Sequence, residues 1–314
     1  VAVDLALVEL ALRSEMQRDP EVVAGPMAEL FAAGGKRLRP ALVLLSARCG
    51  RYDLEKLVPA AMAVELTHAA TLVHDDVIDR SSVRRGRPTV AASLGDEPAI
   101  VIGDFYFAKA YEQAARTQST DVVGILARTV MEICAGEVRQ QAIRYHYSTD
   151  IDEYMQRIDA KTATLLAACC DIGAVLAELP GQQRSALHSY GRLLGLAFQI
   201  ADDVLDYQGS EGEIGKPIGQ DIAEGFATLP LMLGTEDKEL ASVLKGILHN
   251  GRKLGTHEAQ EVARVVRESG APERALERAR DYAMKARAEL AAVHSGEAHD
   301  ALAALTDYVV TRKL

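Results

Sequence analysis

Hydrophobic residues recur at intervals of three and four along most of this chain. Alanine and leucine dominate and runs of β-branched residues are short, so the pattern predicts helices throughout. The opening stretch, VAVDLALVELALRSEM, sets Asp4, Glu9 and Glu15 into an apolar stripe, which suits an amphipathic helix better than a basic, cleavable signal. Further helix starts are expected where a cap precedes periodic sequence: at Thr149 with Asp152 three residues on, after Pro180, near Pro40 and at Pro272. Stops are expected at Gly34-Gly35, Gly50, Ser269-Gly270 and Ser295-Gly296. No stretch of linker composition divides the chain and no repeat of solenoid length is visible. The expectation is therefore an all-α, single-domain bundle of long antiparallel helices over residues 1–314. Two loops, 81–89 and 209–221, carry charge among glycines, each directly after an aspartate cluster on an apolar helix.

Composition narrows the class of partner. Lys+Arg number 35 against 45 Asp+Glu, a net charge of −10, which argues against a nucleic-acid binder. The 48% hydrophobic and 25% charged residues are ordinary for a globular chain with a packed core. Cys49, Cys134, Cys169 and Cys170 contain no C-x-x-C pair and read as small core residues in a reducing compartment. The apolar runs at 40–47 and 193–201 fall short of the roughly 18 residues that span a bilayer. A soluble, cytoplasmic protein without a transmembrane segment is expected, with at most transient contact at a membrane surface.

The charged clusters are more specific. THAATLVHDDVIDR carries Asp75, Asp76 and Asp79, and FQIADDVLDY carries Asp202, Asp203 and Asp206 in the same D-D-x-x-D spacing. Carboxylates at i and i+4 share a helix face and repel, so a cation is needed to offset them. Hard divalent ions prefer such oxygens, and Mg²⁺ commonly combines one or two carboxylates with phosphate oxygens and water. One such motif is common on any acidic helix, whereas two in apolar settings, each leading into a basic loop, point to metal and diphosphate. Lys36, Arg37 and Arg39 in GGKRLRP and Arg84, Arg85 and Arg87 in RRGRPT form two basic groups suited to phosphate oxygens. On an acidic chain they indicate a small anionic ligand rather than a polyanion.

Taken in order, GGKRLRP, ELTHAATLVHDDVIDRSSVRRGRPT, GDFYFAKA, GEVRQQ, KTATLLAACC, FQIADDVLDY and GKPIGQDIAEGFATLPL resemble the trans-isoprenyl (polyprenyl) diphosphate synthases over nearly the whole chain. The resemblance implies the isoprenoid synthase fold, helices around a central cavity, and a homodimer for which GDFYFAKAYEQAA is a candidate contact. It implies a prenyltransferase that condenses isopentenyl diphosphate with an allylic diphosphate using Mg²⁺. Asp75, Asp79 and Asp202 would bind the metal, with Asp76, Asp203 and Asp206 supporting them. Lys36, Arg39, His68 and Arg85 would take the diphosphate of isopentenyl diphosphate. Arg84, Lys161 and Lys216 would hold the allylic diphosphate, while Thr162 and Gln199 would line the cavity near the developing cation. His74 is expected to be a packed histidine rather than a base.

Product length follows from the residues before the first motif. Ala70, Thr71 and Thr67 are all small, and related short-chain enzymes usually place an aromatic at the positions of Ala70 or Thr71, so the resemblance implies a medium or long product. Phe105, Tyr106 and Phe107 on another helix would provide a deeper floor or ordinary core packing. One departure stands out. Phe226 occupies a position where the family often has lysine, which leaves one cationic contact short and implies that Phe226→Lys should tighten the allylic diphosphate. A short-chain synthase and one subunit of a two-component synthase remain open. A terpene cyclase is disfavoured by the two separate basic groups.

Overall fold

The structure, a computed structural model, describes residues 1–32, 35–208, 218–248 and 252–311. Its helices are α1 (Ala2–Met16), α2 (Glu21–Ala32), α3 (Leu38–Ala47), α4 (Leu54–Ile78), α5 (Val90–Leu94), α6 (Asp96–Arg116), α7 (Thr120–Ala142), α8 (Ile151–Ile158) and α9 (Thr164–Leu176). They continue as α10 (Gly181–Gln208), α11 (Gln220–Glu224), α12 (Leu229–Gly234), α13 (Lys238–Ile247), α14 (Thr256–Glu268), α15 (Ala271–Glu289) and α16 (Glu297–Thr311). Among the described residues the only strands are β1 (Val83–Arg84) and β2 (Arg87–Pro88), a two-residue hairpin inside the expected 81–89 loop. The all-α expectation holds.

The chain forms two compact units: Val1–Val130 with Leu165–His188 and Ala292–Leu302, and Met131–Thr164 with Ser189–Ala291 and Ala303–Leu314. In the first unit, α1 buries Asp4, Val8, Leu12 and Met16 at a spacing of four, the inward face of an amphipathic helix. Buried Asp4 is satisfied by Arg48 Nη2 at 2.7 Å and Tyr52 Oη at 2.8 Å. Helix α4 starts where Asp53 accepts from the Glu55 amide. It is long and apolar enough to cross a membrane by length and composition, with a mean hydropathy of 1.2, yet 67% of that window is buried inside the protein. Glu55, Lys56, Glu65 and His68 interrupt its sequence, so it holds no unbroken apolar run of spanning length. Helix α6 packs along α4. A Cβ at Gly103 would stand 2.2 Å from the His74 ring, so only glycine admits that approach.

The second unit has an apolar core that includes Tyr154, Tyr207, Leu229, Val262 and Ala275. Helix α8 is capped by Asp150, whose Oδ1 accepts from the Asp152 and Glu153 amides, one residue beyond the expected cap at Thr149. Between α8 and α9 lies a π-helical turn, Asp159–Ala163. Helix α3 begins two residues before Pro40, and Gln220 and Asp221 of the expected second loop belong to α11. Cys169 and Cys170 are buried and Cys49 is half-buried, as core residues should be. Cys134 is exposed on α7, contrary to expectation, because it falls on the outward stripe of that helix.

Candidate active site

At the C-terminal end of α4 the first motif divides between two faces, since adjacent helical residues are turned by about 100°. Asp75 and Asp79 are half-buried on one face, and Asp79 caps the helix by donating its amide to the Asp75 carbonyl at 2.8 Å. Asp76 is turned inward and is 2% exposed. Its Oδ1 accepts from Arg84 Nε and Nη2, both at 2.8 Å. Arg84, expected on the allylic diphosphate, is thus anchored by the motif itself, from the start of the hairpin.

The two basic segments meet around His68. A Cβ at Gly35 would lie 3.4 Å from Arg37 Nη1 and 3.5 Å from Arg85 Nη1. Arg37 and Arg85 both hold left-handed backbone, at φ 48° and 50°, a conformation costly for non-glycine residues. Arg37 is occupied: Nε donates to Glu9 at 2.9 Å and Nη1 to Glu65 at 2.7 Å, and these carboxylates hold its pKa above the usual value despite partial burial. Arg39 differs, because burial pushes its pKa down and its buried Nε has no hydrogen-bond partner. Arg85 is lowered by desolvation and by Arg84. Burial, reinforced by Arg39, Arg85, Arg84 and Arg37, drives the His68 pKa well below the ordinary histidine value. Lys36 is exposed beside this group. A cluster in which cations depress one another is relieved by an anion.

The small residues before the first motif line one side of α4. Thr67 and Ala70 are buried, Thr71 is half-buried, and the Thr67 and Thr71 hydroxyls are turned back to the Ala63 and His68 carbonyls at 2.8 and 2.7 Å. Four residues beyond Ala70, His74 donates from Nε2 to the Ile100 carbonyl at 3.0 Å and packs 5.6 Å from the Phe107 ring. It is a packed histidine at a helix contact, as expected. The three aromatics of α6 diverge. Phe107 belongs with His74, Tyr106 is buried with its hydroxyl donating to Asp19 Oδ2 at 3.2 Å, and Phe105 stands over Lys109.

In the second unit the motif is arranged along α10. Asp202 is exposed, Asp203 is buried and Asp206 is half-buried. Asp203 is held through both oxygens, by Gln199 Nε2 at 2.7 Å and Tyr154 Oη at 2.8 Å. Burial nonetheless raises its pKa to about 6. Gln199 Oε1 accepts from Thr162 Oγ1 at 2.6 Å, so a relay runs from Tyr154 through Asp203 and Gln199 to Thr162. Thr162 and Lys161 sit in the π-helical turn, a feature frequent at functional sites. Lys161 Nζ meets Glu137 at 3.1 Å. Asp206 accepts from the Gln220 and Asp221 amides at 3.1 and 3.2 Å, capping α11. Lys216 lies outside the described residues.

Sequence reasoning missed Tyr154, Glu137, Glu65 and Arg157. Glu137 falls in GEVRQQ, a segment already singled out, but only proximity reveals its pairing with Lys161. Tyr154 stands at a buried position of α8, and only the fold brings its hydroxyl to Asp203. The donor chemistry fits a hard divalent ion. Asp76 and Asp203 are buried, whereas Asp75 and Asp79 are half-buried and Asp202 is exposed. Among the described residues no group of three or more His, Cys, Asp or Glu could hold a metal by itself.

Residues 20–268 match the Polyprenyl synthetase family, and the chain belongs to it. Heptaprenyl diphosphate synthase component 2 of Geobacillus stearothermophilus is 37% identical over 98% of this chain and 96% of that protein. A short chain isoprenyl diphosphate synthase of Methanocaldococcus jannaschii is 37% identical over 84% of this chain and 82% of its own length. Among solved structures, a polyprenyl synthase from Caulobacter crescentus, complexed with calcium and isoprenyl diphosphate, superposes with a TM-score of 0.92 at 38% identity over 100% of this chain and 96% of that one. The chain is a prenyltransferase that makes prenyl diphosphates, with the all-α fold of its relatives.

Proposed function

We propose that this chain extends an allylic diphosphate with isopentenyl diphosphate to a medium or long trans-polyprenyl diphosphate, in a Mg²⁺-dependent reaction. The observation that carries the reading is Arg39. A buried guanidinium nitrogen without a partner, in a cationic group around His68, supports an anion site separate from the aspartate motifs. A cyclase has no second diphosphate to hold there.

In this reading Asp75, Asp79 and Asp202 hold the metal, with Asp76 and Asp206 keeping Arg84 and α11 in place around them. Lewis-acid neutralisation of the departing diphosphate is the chemistry that Mg²⁺ supplies when bound. Lys161, Arg84 and Lys216 bind the allylic diphosphate, so the C–O bond breaks with its electron pair leaving on the diphosphate. Lys36, Arg39, His68 and Arg85 orient isopentenyl diphosphate so that its double bond attacks the allylic cation. Thr162 and Gln199 present oxygens toward that charge, their orientation set by Asp203 and Tyr154. The proton lost from the new C–C unit leaves on the released diphosphate.

Thr67, Ala70 and Thr71 let the growing chain pass, and Phe107 is the aromatic best placed to floor it because it packs on His74, one turn from Ala70. Phe105 and Tyr106 face the Asp19 side. The enzyme works in the cytoplasm as a homodimer, touching a membrane only while releasing a long product. In GDFYFAKAYEQAA the Tyr106 ring is turned inward, so exposed Ile100 and Val101 of α6 are the better contact candidates. The test is product-length analysis of the purified chain with Mg²⁺, isopentenyl diphosphate and allylic primers. A single long product is expected, and Ala70→Phe should shorten it. The name of the Geobacillus relative favours a second reading, a component needing a partner. In that case pyrophosphate binds but no product forms until the partner is added.

A further inference from the structure

Phe226 leaves the site with no lysine at that position, yet the structure surrounds its ring with cations. Arg144 lies 5.3 Å from the ring centroid and Arg157 lies 5.6 Å from it. Arg144 also stands 5.5 Å from the Tyr145 ring and Arg157 5.4 Å from the Tyr154 ring. Ring and guanidinium therefore alternate from Tyr145 through Arg144, Phe226 and Arg157 to Tyr154, whose hydroxyl ends on Asp203. The turn bearing Phe226 is fixed by the same side chains: Arg144 Nε donates to the Glu224 carbonyl at 2.7 Å and Arg157 Nη2 to the Ala227 carbonyl at 2.6 Å.

Within this series Arg157 is unusual. It is half-buried, its positive charge is felt by Asp203 and Asp221, and yet no carboxylate among the described residues pairs with it. The Ala227 carbonyl takes one of its five donors. The others are not among the buried, unsatisfied atoms and so remain open to solvent. It stands four residues before Lys161 and beside the buried aspartate of the second motif. A guanidinium held against two rings and a backbone carbonyl has less freedom to lose on binding, and its planar fork suits phosphate oxygens.

We propose that Arg157, clamped between Tyr154 and Phe226, is a further binding residue for the allylic diphosphate at the second aspartate motif. Phe226 is its platform and not a gap in the site. The inference rests on the prenyltransferase reading above. It also reverses the effect expected of Phe226→Lys, since a lysine there would stand between two guanidiniums and remove the ring that orders them.

The test combines calorimetric titration with inorganic pyrophosphate and Mg²⁺ with steady-state KM values for both substrates. Arg157→Gln is expected to weaken pyrophosphate and raise the allylic KM about tenfold, leaving the isopentenyl diphosphate KM within about twofold. Arg157→Lys should recover part of the loss, and it serves as the reporter should the glutamine variant fail to fold. Phe226→Leu should move the same quantities about threefold, and Phe226→Lys should weaken pyrophosphate binding rather than tighten it. An unchanged pyrophosphate affinity in Arg157→Gln overturns the proposal, as does an equal rise in both KM values, which a merely structural arginine would produce. If the wild type binds pyrophosphate in an Arg157-dependent way but transfers no prenyl group, the subsite stands and the functional reading fails.

Discussion

The two aspartate motifs have one spacing and two electrostatic solutions. In the first, the buried middle carboxylate, Asp76, is answered by a full charge, the fork of Arg84. In the second, buried Asp203 is answered by neutral donors, Tyr154 and Gln199, and burial keeps its pKa raised to about 6. The last carboxylates differ as well, for Asp79 ends its own helix whereas Asp206 caps another. What the motifs share is the first position, Asp75 and Asp202, turned toward solvent more than the residue that follows it. The comparison teaches that a D-D-x-x-D pattern fixes which carboxylate is turned inward and which stands nearer solvent. The middle residue is a structural post whose support is decided locally.

The largest expected effect tests the shared feature. Asp75→Ala and Asp202→Ala should each lower kcat by about a thousandfold or more while leaving the circular dichroism spectrum intact. A variant retaining near-normal turnover would remove its motif from the metal assignment. The next separates the two supports. Arg84→Ala removes the charged partner of buried Asp76 and should cost about 2–3 kcal/mol, whereas Tyr154→Phe removes one neutral hydrogen bond and should cost about 1–2 kcal/mol. Denaturant titration of both variants checks the ranking, and equal losses would dissolve the distinction between ionic and neutral anchoring. Smaller still, Arg39→Ala should raise the KM for isopentenyl diphosphate about tenfold, on the order of 1.4 kcal/mol, without loss of stability because it removes a buried charge held for function.

The subtlest prediction concerns pH, where the two regions should respond in opposite directions. The folded pKa of His68 lies below the ordinary 6.5, so its contribution is present above that value and is lost as pH falls through the folded pKa. The folded pKa of Asp203 is raised from 3.8 to about 6, so its contribution is complete below 3.8 and lost as pH rises through about 6. Hydrogen-exchange protection factors at pH 5.5 and 7.5 should therefore show α4 weakening on acidification while α8 and the centre of α10 strengthen. A common direction in both would contradict one of the two burial arguments.

Much of this was legible in the chain. Helical periodicity, the capping sites near Asp150 and Pro180, and both aspartate motifs follow from local spacing, which a linear sequence states directly. The illegible parts depend on proximity between distant positions. Nothing near Arg84 in sequence announces that it will be anchored by Asp76, and nothing at Tyr154 distinguishes a hydroxyl that supports Asp203 from a ring that fills a core. Phe226 shows the same dependence on proximity. Read alone it is a position without a cation, whereas the fold sets Arg144 and Arg157 against its ring.

By itself the sequence determined the class of helix-built protein, the faces carrying carboxylate and the two basic segments, because residue type and helical period settle these without long-range contacts. Only the tertiary structure decided which charges are buried against protein partners, as Asp76 is by Arg84, and which are not, as at Arg39 Nε. That decision depends on burial and on partners brought within about 3 Å, where a hydrogen bond forms or fails to, and no local pattern encodes those distances.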